Sequence, residues 1–319
     1  MDTIQRVGMK KGGVLPANRK MERRKLLKQN IPLWLLFIPF LLHYLIFKYI
    51  PMAGILVAFK NYNFAEGIFG SPWAGFDNFK MLFSGIRTLE IIKNTLYISV
   101  LRIFVGFPFP IICALLINEV RKSWFKRSVQ TMVYLPHFLS WVVVSGVVVS
   151  IFSQQTGVVN AIIKMLGGET YSFLYHESSW LTILLATGIW KEAGFGSIIY
   201  LAALTNIDPQ LYEASSLDGA GKFRQMWNIT LPGIAPTIAL MLILAMGNVM
   251  EVGFELMYTM GNDAVSGLSE VISTYIYRVG IQGGQYSLTT AMGLFESLVG
   301  LVLVIISNRI ARIFNQSLW

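Results

Sequence analysis

Long apolar runs set the first limit on this chain. A helix needs about 20 consecutive apolar residues to cross the hydrocarbon core of a bilayer. Six stretches meet that length, at about residues 32–59, 93–118, 129–152, 180–204, 233–257 and 288–308. Hydrophobic residues make up 54% of the 319 positions and charged residues only 13%, which is not the balance of a soluble globular domain. Backbone inside hydrocarbon must satisfy its own hydrogen bonds. The expected fold class is therefore an all-α integral membrane protein with six transmembrane helices.

The placement of charge orients those spans. Residues 1–30 carry Arg6, Lys10, Lys11, Arg19, Lys20, Arg23, Arg24, Lys25 and Lys28 against Asp2 and Glu22. The stretch is too long, and lacks the small-residue cleavage site, for a secretory leader. The loop after the second run holds Arg121, Lys122, Lys126 and Arg127, and Arg309 and Arg312 close the chain. Basic residues mark cytoplasmic segments, so both termini are expected inside. The expected parts are a basic tail over 1–30, a spanning domain over 31–308 and a second tail over 309–319. Net charge is +9, but the cations flank apolar runs without interleaved aromatics, which argues against nucleic acid. A single cysteine, Cys113, excludes a disulfide framework.

Between runs, residues 60–90 and 258–287 read as outer loops, and 153–179 as an outer loop with a short helix from Val158 to Leu166. Pro39 and Pro51 are expected to kink the first span, and Pro108 and Pro110 to bend the second. Ionisable residues inside spans are functional candidates by default. Here they are Arg102, Glu192, Glu251, Glu255 and Glu296, with Trp190 beside Glu192. They suit either a hydrophilic pathway or ion pairs that only hold the bundle. Lys191 and Glu192 are adjacent and diverge by about 100° on a helix, so they do not read as a pair. No enzyme chemistry is legible. The one Gly-Lys, Gly221-Lys222, is followed by Phe223 and makes no phosphate loop. His43, His137 and His176 lack metal-ligand spacing. Uphill transport would draw energy from a partner or an ion gradient.

One polar island, residues 208–232, separates the fourth and fifth runs. Asp208 suits an N-cap and Pro209 the first helical position. A helix is expected through Leu217, broken by Gly219 and Gly221. A second helix is expected from Lys222 to about Ile229, stopped before Pro232. The product is a helix–turn–helix knob on the cytoplasmic face. Its first helix is low in relief at Ala214, Ser215 and Ser216, and Glu213 and Asp218 are charges for a partner to read. Local chemistry alone fits an ordinary loop equally well.

The spacing of that island resembles the EAA loop of type I ABC-importer permeases. Glu213-Ala214-Ser215, then Gly219-Ala220, then Ile229-Thr230-Leu231-Pro232 keep every gap of the family pattern, with Ser215 where the name-giving motif has its second Ala. The likeness extends through Phe76-Asp77-Asn78-Phe79, Tyr134-Leu135-Pro136 and Trp190-Lys191, and is similar to the oligosaccharide branch, including permeases for alginate or pectin fragments. The resemblance implies that the island is the coupling helix docked in an ATPase cleft. It implies a second homologous permease, as a heterodimer, two ABC ATPase subunits holding ATP and Mg, and an extracytoplasmic solute-binding protein. The chain itself would bind no cofactor and lie in the bacterial cytoplasmic membrane, moving sugar by alternating access. The competing reading is a secondary transporter driven by an ion gradient through Glu192, Glu251 and Glu296. No internal inverted repeat supports it.

Overall fold

The structure, a computed structural model, describes residues 30–313. Nearly all of the tail expected over 1–30, and residues 314–319 of the tail expected over 309–319, lie outside the described residues. The chain divides into two units, Met1–Gly54 and Ile55–Trp319.

In the first unit, α1 (Ile31–Tyr44) contains Pro39 and leads into a π-helical turn, Leu45–Tyr49. Winding then tightens into a 3-10 segment that opens with Ile50-Pro51. Pro51 has no amide to give the ladder, and the change from wide to tight turns falls at that gap. Every residue from Ile31 to Ile50 is exposed. A helix that is apolar all round and solvent-exposed in isolation suits contact with lipid or another helix.

In the second unit, after the end of the 3-10 segment and a one-turn helix at Gly67–Gly70, come α2 (Asp77–Ser84), α3 (Ile86–Leu101) and α4 (Pro108–Glu119). A π-helical turn, Arg102–Gly106, joins the latter two into one helix of 34 residues, Ile86–Glu119. The second span thus starts seven residues earlier than residue 93. Thr88, Ile91, Thr95 and Ile98 form a buried stripe at helical spacing, which carries the helix back through polar positions. The wide turn also absorbs the missing amide of Pro108.

The expected third span is not one straight helix. α5 (Ser123–Tyr134) ends in a tight turn, Leu135–Phe138, and α6 (Trp141–Phe152) departs at 100°. Pro136 breaks the ladder, Leu139 and Ser140 are extended, and the Ser140 hydroxyl accepts from the Val143 amide at 3.3 Å to restart the helix. α7 (Val158–Met165) lies where the short outer helix was expected. α8 (Glu177–Leu204) runs for 28 residues and packs along α4 and α5. Gly194 makes the α5 approach feasible, since a Cβ there would collide with the Val133 carbonyl.

α9 (Pro209–Leu217) and α10 (Lys222–Gln225) form the polar island. α10 does not stop before Pro232. A π-helical turn, Met226–Thr230, passes it into α11 (Leu231–Gly247), giving one helix of 26 residues from Lys222. That helix ends at Gly247, not near residue 257. A non-helical link follows to Gly253, whose φ of +94° favours glycine. α12 (Phe254–Met260) is separate. The expected outer loop over 258–287 is largely helical, with turns at Asp263–Val265, Ser266–Ser269, Ile272–Tyr275 and Ile276–Gln282. α13 (Tyr286–Ile313) closes the described chain.

Among the described residues, four helices are long and apolar enough to cross a membrane: Ile31–Phe59, Ile86–Glu119, Lys222–Gly247 and Tyr286–Arg312. The bent pair brings the number to five. The length of α8 suffices, but Lys191 and Glu192 lower its mean hydropathy. Inside the second unit, Trp180 is fully buried and its indole N–H donates to the Met260 carbonyl at 2.8 Å. It anchors a cluster with Leu184, Val144 and Leu256 that ties α8 to α6 and α12.

Candidate functional site

The knob follows its local signals closely. Asp208 accepts from the Gln210 amide at 2.9 Å, and Pro209 sits in the first turn. At the other end, the Gly219 and Ala220 amides donate to the Ser216 and Ser215 carbonyls at 3.1 and 2.9 Å. Gly219 takes φ +78°, the left-handed conformation such a closure requires. Gly221 is extended and starts α10. Glu213, Ala214 and Asp218 are exposed, and Leu217 is 90% exposed at the tip. Ile229 and Leu231 are half-buried, while Pro232 faces outward. An open cleft of about 690 Å³ lies between the knob and the end of α4, lined by Glu213, Leu217, Glu119 and Arg121. The ion pair Lys222–Glu119, 3.3 Å, bridges it.

Beneath the exposed face lies a set of ties that sequence reading missed. The buried Gln225 Nε2, with two N–H groups to give, lies 2.8 Å from Ser216 Oγ, 3.0 Å from Ser215 Oγ and 3.3 Å from the Tyr212 carbonyl. The signal was present in Ser215, which reads as a neutral departure from alanine but supplies an acceptor here.

A second cluster sits at the elbow between α5 and α6. Lys191 on α8 is 4% exposed. Its Nζ donates to the His137 carbonyl at 2.8 Å, lies 3.3 Å from Glu192 Oε1, and stands 4.8 Å from the Trp141 ring centre. Glu192 Oε2 is 2.8 Å from His137 Nδ1, and the His137 ring stacks on Phe195 at 3.9 Å. Lys191 and Glu192 therefore do pair. Their Cβ directions diverge, but both side chains are long and turn toward the same elbow. The helix break frees the His137 carbonyl, and a buried ammonium needs such partners.

The other intramembrane candidates fall into two cavities. Arg102 donates to the Val252 carbonyl of the link at 2.5 Å and shares a small cavity of about 140 Å³ with Glu192, Gly188 and Leu256. Glu251 and Glu296 line another of about 440 Å³ with Asn248, Ser273 and Ser297. The Ser273 hydroxyl is buried without a hydrogen-bond partner among the described residues. Glu251 lies on the link rather than on the span helix, because the helix ends at Gly247. Glu255 and Trp190 are exposed and line neither cavity. Among the described residues no three His, Cys, Asp or Glu side chains gather in a way that could hold a metal ion.

Comparison with known proteins agrees with this layout. Residues 106–319 match the family model for binding-protein-dependent transport system inner membrane components. The chain is 45% identical to Protein LplB of Bacillus subtilis (strain 168), covering 95% of both chains. It is 43% identical to the polygalacturonan/rhamnogalacturonan transport system permease protein YteP of the same organism, covering 93% of this chain and 94% of that one. Among solved structures, it superposes with a TM-score of 0.84 and 43% identity on a chain of a bacterial ABC transporter involved in import of the acidic polysaccharide alginate. That match covers 91% of this chain and 98% of the other.

Proposed function

The chain belongs to the family of binding-protein-dependent transport system inner membrane components, and from that premise we propose that it is a permease subunit of an ATP-driven oligosaccharide importer. Uronate-rich fragments, of the alginate or pectin kind, are its substrate class. Similarity to permeases and a transporter named for such saccharides supports this choice. The topology is six spans with both termini cytoplasmic, α8 being the span that falls short on hydropathy. The chain lies in the bacterial cytoplasmic membrane. It works with a second permease, two ABC ATPases that carry ATP and Mg, and a binding protein on the far side.

The observation that carries the reading is the knob. It is capped at both ends, exposes Glu213, Ala214 and Asp218, and continues through one helix into the membrane. A body built this way transmits force from an ATPase cleft to α11, and α8 enters it from the other side. ATP-driven approach of the ATPases would draw the knobs together and rock the spans, exchanging inward and outward openings. The polar cavity with Glu251, Glu296, Asn248 and the serines offers acceptors and donors for saccharide hydroxyls along that route. Arg102 and Glu192 line the separate, smaller cavity.

The test is gentle purification of the tagged chain from native membranes, with mass identification of what accompanies it. An ATPase, a second permease and a saccharide-loaded binding protein are expected. A chain that emerges alone after mild crosslinking, and transports in vesicles without ATP on an imposed ion gradient, would replace this reading with the ion-driven one.

A further inference from the structure

The coupling knob has a polar floor, and its centre is a residue outside the Glu213-to-Gly219 signature. Gln225 is 7% exposed, a buried polar side chain. Its Nε2 faces Ser216 Oγ at 2.8 Å, Ser215 Oγ at 3.0 Å and the Tyr212 carbonyl at 3.3 Å. The two serine hydroxyls donate back to that same Tyr212 carbonyl, at 2.9 and 2.8 Å. Their protons are thus committed to α9, and their lone pairs point to α10. Only a donor at position 225 completes the set.

The ring closes on the other side as well. Tyr212 Oη lies 3.0 Å from Thr230 Oγ1, and Thr230 Oγ1 donates to the Gln225 carbonyl at 3.3 Å. Thr230 is itself buried and ends the π-helical turn that leads into α11. The first helix of the knob, the second helix and the root of the span are therefore joined through side chains as well as through the backbone. Without these ties, α9 and α10 would be linked only by residues 218–221, two of them glycine.

We propose that Gln225 is the positioning residue that locks α9 onto the root of α11, so that motion of the knob reaches the span without slack. The proposal rests on the coupling reading of the knob. A floor of this polarity has a clear prediction for glutamate, which keeps the shape but has no N–H. Glutamate at 225 has no N–H for the Tyr212 carbonyl, and it takes the two hydroxyl protons only by breaking their bonds to that carbonyl. Loss of one or two net hydrogen bonds shifts the locked-to-loose ratio by about tenfold.

The experiment uses the purified full complex with its own binding protein. A nitroxide is attached at Leu217→Cys, a tip position 90% exposed in the chain, in a Cys113→Ser background for the spectra alone, and hydrolysis is measured on the unlabelled complex. Gln225→Glu should broaden the motion seen at the tip and lower the ratio of binding-protein-stimulated to basal ATP hydrolysis about tenfold. If Gln225→Glu does not assemble, the Ser215→Ala, Ser216→Ala double variant substitutes for it. It removes two of the three acceptors and should give the same tip mobility with a smaller loss. An unchanged tip spectrum overturns the proposal. So does a loosened tip with full stimulated hydrolysis while Glu213→Ala still abolishes stimulation, because the coupling reading then stands and only the lock is wrong. Full stimulation in Glu213→Ala as well would instead remove the coupling reading itself.

Discussion

Lys191→Met gives the sharpest measure of what the buried elbow contributes. The substitution keeps the length of the side chain and removes its charge. It strands the His137 carbonyl, which the broken helix cannot satisfy, at a cost of about 1–3 kcal/mol. It also loses the contact with the Trp141 ring, about 0.5–1 kcal/mol. Glu192 keeps His137 and is partly exposed, so its loss is smaller. Methionine recovers about 1 kcal/mol through apolar burial and by sparing the desolvation of an ammonium. The balance is a destabilisation of about 2 kcal/mol, or a thermal midpoint lower by about 3 °C for a chain of this size. Thermal unfolding of the purified protein in detergent reads it directly. Lys222→Met is the internal control, because the Lys222–Glu119 pair is exposed on both sides and is expected to contribute less than about 1 kcal/mol. If Lys191→Met unfolds with Lys222→Met, or above the parent, the ammonium does not hold the elbow.

Gly194→Ala should be worse than either, by about 3 kcal/mol or more, because the added methyl meets the backbone of Val133 and not a side chain that can turn away. Loss of the folded monomer peak on size exclusion is the readout. Asp208→Ala removes the cap of α9 and should cost about 1 kcal/mol, seen as faster amide exchange over 210–212 with the rest of the chain unchanged. Gly219→Ala forces a side chain into a left-handed backbone and should cost about 1 kcal/mol, again confined to the knob. In uptake assays Glu213→Ala should leave the protein in the membrane and reduce transport; normal transport would detach Glu213 from coupling.

The knob was readable because its signals are local. Asp208, Pro209 and Gly219 each act within one turn of where they stand. Span boundaries were less readable for a specific reason. Pro232 looks like a stop and Pro108 like a bend, yet a π-helical turn just ahead of each lets the helix pass. Pro136, in a valine-rich run, looked passable and instead broke the helix by 100°. What separates these prolines is tertiary. The Lys191–Glu192 pair, His137 on Glu192, and Gln225 under the serines all depend on a second element arriving, which periodicity along one helix does not record. The division of Glu251 and Glu296 from Arg102 and Glu192 into separate cavities is of the same kind.

The π-helical turn Met226–Thr230 has a consequence for spacing. Such a turn holds one residue more than regular winding would, and one residue is worth about 100° of rotation about the axis. Removing a residue there would let the helix run on in ordinary register while turning everything after it by that angle. Ile234 and Ile243, now directed into the protein, would swing toward lipid, although no side chain near them had changed. The interval between Gly219 and Ile229 is therefore a phase setting. It aims the span relative to the knob, and a change in its count alters that aim whichever residues fill it.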